Sequence, residues 1–429
     1  MNPPLHFNLN WEPGGSGTKE ERLTHASLGI VADGKAITRV EDLLARTTRP
    51  VIRVSAYPLA VWLASNWWRL RREVPTQEVR DDWSMVHQVA AAGGGYVWPD
   101  LKIVSHGDYI NLYSHETSSI GGESIAYLGE MNYSLSAEDF VDAVDDFIET
   151  VLARLVNCGL DDTVLHKLWA LIQEERRDSA VREYRRLEAL LGFDSEKGPP
   201  SQIDALIEMG ARLGAEAVAE VAASSAGASE LEETEEALQQ ADQMVIADFA
   251  SLRANLMPND AFRYPWQYGQ AAACRIRQAI GHPEGPLEDA MLEEWLSLSE
   301  NVLAGKPDRN MPFAAALRDG ADAGEIRVLF RSNWPSGRRF EVARLLGDHL
   351  VSAPIEDRLM PATNAKTARQ STQRAFAAEF LLPLDDLRAH IGPVPEDEDR
   401  IEDIASEYGV SPLLVRRRLE DNGLLNLSI

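Results

Sequence analysis

Only two cysteines occur in the 429 residues, Cys158 and Cys274, far apart and without metal-site spacing. That excludes a disulfide scaffold and reads as buried, reduced thiols in a cytoplasmic protein. No apolar run is long enough to span a bilayer, so no membrane partner is expected. The start, Met1-Asn2-Pro3-Pro4-Leu5-His6, has no basic stretch leading into an apolar core, and no signal peptide is expected. Gly93-Gly94-Gly95 lacks the Lys-Ser/Thr pair of a phosphate loop and reads as a turn. Basic residues are the minority, 42 Lys and Arg against 68 Asp and Glu, for a net charge of −26. Such a surface repels phosphate backbones and argues against broad nucleic-acid binding.

What is present suits a globular chain of two or three domains: 45 % of residues are hydrophobic. The pattern is α+β, with a mixed β/α domain over 1–135, a helical region over 136–258 and a third domain over 259–429. In the first, residues 5–12 alternate as a strand, and 28–40 read as a hairpin turning at Asp33-Gly34. Residues 58–72 read as one helix, with Trp62, Trp67 and Trp68 at core spacing. Residues 102–104, 109–113 and 124–128 read as further strands. Ser136 is an N-cap with Asp139 three residues on, opening a helix whose stripe is Phe140, Val144, Phe147, Val151 and Leu155. Over 224–233 small and acidic residues replace apolar periodicity, which marks a separable boundary.

Two stretches of the third domain carry most of the information. Residues 338–349 read Arg-Arg-Phe-Glu-Val-Ala-Arg-Leu-Leu-Gly-Asp-His. Residues 370–383 read Gln-Ser-Thr-Gln-Arg-Ala-Phe-Ala-Ala-Glu-Phe-Leu-Leu-Pro. Together they resemble the two active-site helices of the ImmA/IrrE family of zinc metallopeptidases, written R-R-F-x-x-A-H-E-L-G-H and E-x-x-A-N-x-F-A-A-E-L-L-M-P. The frame residues match at Arg338, Arg339, Phe340, Ala343, Leu346 and Gly347, then at Phe376, Ala377, Ala378, Glu379, Leu381 and Pro383. The chemistry does not match. The first metal histidine falls on Arg344, the general base on Leu345, the second histidine on Asp348 and the carboxylate ligand on Gln370.

In H-E-x-x-H the histidines share one helix face and the glutamate polarises the metal-bound water. Arg344 is a cation with no lone pair to give, Leu345 accepts no proton, and one carboxylate does not make a site. The resemblance therefore implies a zincin-like pseudo-peptidase domain with no metal and no cofactor. It also implies a replacement. Arg344 should occupy or border the former metal slot, bonding Asp348 one turn on and the Gln370 carbonyl across the gap. Strands are expected at 314–317 and 326–330, with turns at Asp319-Gly320 and Ala323-Gly324.

The chain ends in a helix-turn-helix-like pair over 399–425, with Ser411 and Pro412 opening the second helix. Arg416, Arg417 and Arg418 on that helix are candidate phosphate contacts, although the surrounding carboxylates favour packing over DNA reading. The expected function is a catalytically inactive ImmA/IrrE-like regulator that binds or senses a protein partner in bacterial stress or phage response. An inactive peptidase groove can still hold an extended peptide by strand addition. The alternatives are a metallopeptidase with a relocated site, built from Asp348, His349 and a carboxylate elsewhere, or a DNA-binding regulator acting through Arg416 to Arg418.

Overall fold

Alternating residues begin the N-terminal sheet, where β1 (Leu5–Trp11) pairs antiparallel with β2 (His25–Ala32) across the short helix α1 (Lys19–Leu23). At the end of β2 the chain turns through Asp33 and Gly34, at φ 48° and 72°, into β3 (Lys35–Ala36). Two successive left-handed residues make the tight hairpin expected of Asp-Gly. The computed structural model describes residues 3–76, 81–117, 125–245, 264–305, 310–318, 325–352, 356–391 and 397–425. By contacts it divides into two units, Met1–Ile203 and Asp204–Ile429.

In the first unit β4 (Val40–Asp42) pairs with β5 (Thr47–Arg49), and β6 (Ile52–Ser55) pairs with β2. Helices α2 (Ala56–Ser65), α3 (Trp67–Arg72) and α4 (Trp83–His87) follow. The single helix expected over 58–72 is therefore two. Asn66 leaves helical geometry, and its side-chain amide donates to the Trp62 carbonyl at 2.8 Å, competing with the backbone ladder. The tryptophans are core, as the spacing suggested: Trp62, Trp67 and Trp68 are all buried. Strand β8 (Tyr109–Ser114) lies between β7 (Leu101–Ser105) and β10 (Met131–Ser136), while β9 (Ile125–Tyr127) pairs with β4.

Ser136 ends β10 and caps α5 (Ala137–Asn157), accepting from the Asp139 amide at 2.9 Å. The α5 stripe packs on β1, β8 and β10, with the Phe7 and Phe147 rings 4.5 Å apart. Helices α6 (Val164–Arg177) and α7 (Ser179–Leu190) pack on α2 and α3. The 135/136 boundary thus marks no separation: an amphipathic helix beginning at the last strand buries its apolar face on the strands before it. The 258/259 boundary lies outside the described residues. No helix among the described residues is long and apolar enough to cross a membrane.

Helix α8 (Pro200–Leu213) carries the chain into the second unit. There α9 (Ala215–Ala222) and α10 (Ala228–Leu238) follow, so the 224–233 stretch lies inside this unit. Strand β11 (Asp242–Val245) joins β12 (Ala314–Arg318), β13 (Glu325–Leu329) and β14 (Leu359–Ala362) in an antiparallel sheet of order β11-β13-β12-β14. The turns expected between β12 and β13 fall outside the described residues. Five of the helices are α11 (Pro265–Ala279), α12 (Asp289–Trp295), α13 (Pro335–Gly347), α14 (Ala368–Leu381) and α15 (Leu384–Ile391). The last pair is α16 (Glu398–Tyr408) and α17 (Pro412–Asp421), joined at Gly409, which is left-handed with φ 60°.

Two glycines set the helix crossings. A Cβ on Gly347 would stand 2.6 Å from the Phe376 ring, so only glycine lets α13 meet α14 this closely. A Cβ on Gly269 would stand 2.4 Å from the Thr372 carbonyl oxygen, which brings α11 equally close to α14. Phe376 is fully buried and has no room to retreat. We expect Gly347→Ala to lower stability by about 1–3 kcal/mol. Chemical denaturation checks it, and an unchanged midpoint would mean the two helices separate freely.

Candidate functional site

Helix α13 starts at Pro335, whose missing amide hydrogen costs nothing in the first turn, and ends in a π-helical turn, Asp348–Ser352. Buried arginines fix its position. Arg338 donates to the Ser332 and Val302 carbonyls, and Arg339 to Asp289 and to the Leu287 and Tyr408 carbonyls. Glu341, also buried, accepts from the Arg331 and Ser332 amides at 3.0 and 3.1 Å, and burial pushes its carboxyl up. Helix α14 is capped by Thr367, whose hydroxyl accepts from the Gln370 amide at 3.1 Å.

Arg344 points inward. One terminal nitrogen, Nη2, donates to the Thr363 carbonyl at 2.7 Å, to the Gln373 carbonyl at 3.2 Å and to the Gln370 carbonyl. Its Nε is buried with no hydrogen-bond partner among the described residues. Burial, and then the neighbouring Arg374, push this guanidinium down to about 9, so it is still charged at neutral pH. Leu345 is wholly buried in the apolar core of this unit and presents no acid or base. Gln370 does double duty: Oε1 also accepts from the Thr363 amide at 2.9 Å, while Nε2 donates to the Pro361 carbonyl at 3.0 Å. Gln373 Nε2 donates to the same carbonyl at 3.1 Å.

The bond expected from Arg344 to Gln370 is present. The one expected from Arg344 to Asp348 is not, and this is a correction. Asp348, wholly buried, is held instead by Arg369, which donates from Nε at 2.8 Å and from Nη2 at 2.7 Å. The physical reason is geometric. Arg369 offers a planar fork that matches both carboxylate oxygens, whereas Arg344 is drawn to the strand edge. The remaining Arg369 nitrogen donates to Asp357 at 2.9 Å, and the carboxylates around it hold its pKa above the ordinary arginine value against the cost of burial. His349 is buried one position beyond Asp348.

Sequence reasoning missed Arg369, Asp357 and Glu220. Glu220 on α9 accepts from the Thr367 hydroxyl at 2.6 Å, so the cap of α14 is itself held from 147 residues away. Burial raises the Glu220 carboxyl, with Arg369 opposing it. Nothing in spacing could have singled out Glu220, since it belongs to neither helix motif. Among the described residues no three His, Cys, Asp or Glu side chains are grouped so as to hold a metal ion.

The same network closes a sheet edge. In β14 the register pairs Met360 with Ala316 and Ala362 with Ala314, and the Arg358 carbonyl accepts from the Arg318 amide. Pro361 and Thr363 therefore turn their backbone groups away from β12. Those groups are taken by Arg344, Gln370 and Gln373, and Pro361 has no amide hydrogen to offer. An incoming strand would find the outward backbone groups of Pro361 and Thr363 already engaged.

The three arginines of α17 divide. Arg418 is buried and donates to Glu379, so it cannot reach a phosphate, which corrects its candidacy. Arg416 donates to Glu398, and Arg417 alone is exposed. The chain matches no protein-family model, no curated protein and no solved structure.

Two measurements probe this network. A double-mutant cycle of Asp348→Asn with Arg369→Met should give a coupling of about 1–3 kcal/mol, whereas Asp348→Asn with Arg344→Met should be close to additive. The reverse order of couplings would restore the Arg344–Asp348 pairing. The second is a pH series. Glu220 keeps its proton in the fold to a higher pH than in the unfolded chain, so between those two values the fold binds more protons. Stability should fall as pH rises through that window, above the ordinary carboxylate range. Glu341 and Asp357 shift the same way, so Glu220→Gln should shallow the decline without abolishing it. An unchanged slope would show Glu220 to be solvated.

Proposed function

We propose that the Asp204–Ile429 unit is an ImmA/IrrE-like, zincin-like domain that has lost peptidase chemistry, and that the chain works as a protein-binding or sensing regulator. One observation carries this reading. The position aligned with the first metal histidine, Arg344, bonds directly to the position aligned with the carboxylate ligand, Gln370. A cation thus joins the two helices that a metal would join in the family. Leu345 supplies no general base, and Asp348 is engaged on both oxygens by Arg369.

The frame residues support the same reading. Arg338 and Arg339 anchor α13, Gly347 admits Phe376, and Glu379 receives Arg418. The relocated metal site is disfavoured because Asp348 is already paired, and the DNA reading because Arg418 is buried in an acidic chain of net charge −26. By the family resemblance, the setting is a cytoplasmic bacterial regulator of stress or phage response, where active relatives cut helix-turn-helix repressors.

Protein purified without chelator should hold no stoichiometric zinc by elemental analysis. Arg344→His should not introduce it, and should destabilise the fold by orphaning the Thr363 and Gln373 oxygens. About one zinc per chain, lost to a chelator together with peptidase activity, would overturn the reading.

A further inference from the structure

In the second unit four helices, α11, α13, α14 and α17, enclose an open groove of about 840 Å³. Its apolar surface comes from Trp266, Phe340, Ala378, Leu413 and Leu414. Trp266 and Leu413 are 43 % and 61 % exposed, although each has apolar neighbours against which a partner would bury it. Large apolar side chains gathered in one concave place mark an interaction surface more than scattered ones do.

The charge of the groove runs against the charge of the chain. Its lining includes Arg374, Arg417 and Arg418 against Asp421, while the chain as a whole has 42 basic and 68 acidic residues. Arg418 is spent on Glu379, and Arg374 donates to the Ala365 carbonyl. Arg417 is exposed at the groove and has no partner among the described residues. A guanidinium beside apolar surface favours a carboxylate brought to it by an apolar body.

We propose that this groove binds an amphipathic helix of a partner protein, with an apolar face and one or two carboxylates that meet Arg417 and Arg374. A helix fits better than a strand because the groove walls are helices, and because the β14 edge nearby in this unit is closed by side chains. A polyanion is excluded. The net charge of −26 repels it over about 8 Å, the screening length at physiological salt, whereas one or two contact pairs form inside that distance. The same charge opposes a second copy of this chain. This proposal rests on the protein-binding part of the reading above and does not depend on the absence of zinc.

Random peptides displayed on phage, panned against the full chain, are the probe. The enriched peptides should share apolar residues at helical spacing with one or two flanking carboxylates. A fluorescein-labelled member should lose at least about tenfold in affinity on Leu413→Glu. Arg417→Glu should shift preference toward the same peptide with lysine in place of its carboxylates. Both side chains are exposed, so melting curves should match the parent. No enrichment, enrichment of basic or uncharged peptides, or binding indifferent to both substitutions would overturn the proposal. So would a dimer in light scattering that Leu413→Glu dissolves. Peptides that bind away from the groove would refute the groove and leave the protein-binding reading standing, and zinc analysis of the same preparation judges the pseudo-peptidase reading separately.

Discussion

One guanidinium nitrogen, Arg344 Nη2, donates to the backbone carbonyl just past β14 and to two side-chain carbonyls, so that α13, α14 and the end of β14 meet at it. A buried cation without a carboxylate in contact is expensive, because partial charges must replace water. It persists here because the oxygens it meets are equally expensive to leave unmet. Pro361 and Thr363 face away from their sheet neighbour, so their backbone groups need partners from α13 and α14. The helices are held to the strand edge by this mutual need, and Gly347 and Gly269 let them come close enough to meet it.

Arginine recurs throughout this unit for a common reason. Arg277 donates to the Phe380 and Gly285 carbonyls, the first of them at the C-terminal end of α14. Arg339 ties α13 to the Tyr408 carbonyl at the end of α16. Helix ends leave carbonyls without partners, and a planar group with five donors satisfies several from one position. Lysine, a single point of charge, could not span the Arg369 contacts with Asp348 and Asp357. Frame arginines that look like surface charge in the sequence are therefore internal struts.

The parts of the site legible in the sequence were those within the two helix motifs. Arg344 meets Gln370 because two motifs in fixed phase put them face to face. Arg369 adjoins Gln370 yet carries no signal of its own, because i, i+4 helical spacing pairs Asp348 with Arg344. The change to a π-helical turn at Asp348 is invisible to helical periodicity. Glu220 lies far outside either motif, and only the tertiary fold brings it to Thr367. In the first unit the Ser136 cap and the α5 stripe were readable, since capping and amphipathicity are local. The break at Asn66 was not, because the apolar period of the tryptophans continues straight through it.

Gln370 meets both Arg344 and the backbone at the end of β14 with one side chain. A carboxylate at this position would accept from Arg344 and from the Thr363 amide, but it could not donate to the Pro361 carbonyl. An amide does both, with its oxygen toward Arg344 and its nitrogen toward Pro361. The amide thus meets both groups from one position, beside Gln373, which donates to the same Pro361 carbonyl. With Pro361 and Thr363 engaged, their backbone groups are not available to pair with an extended peptide. The helix-walled groove, by contrast, is where apolar side chains and an exposed guanidinium coincide.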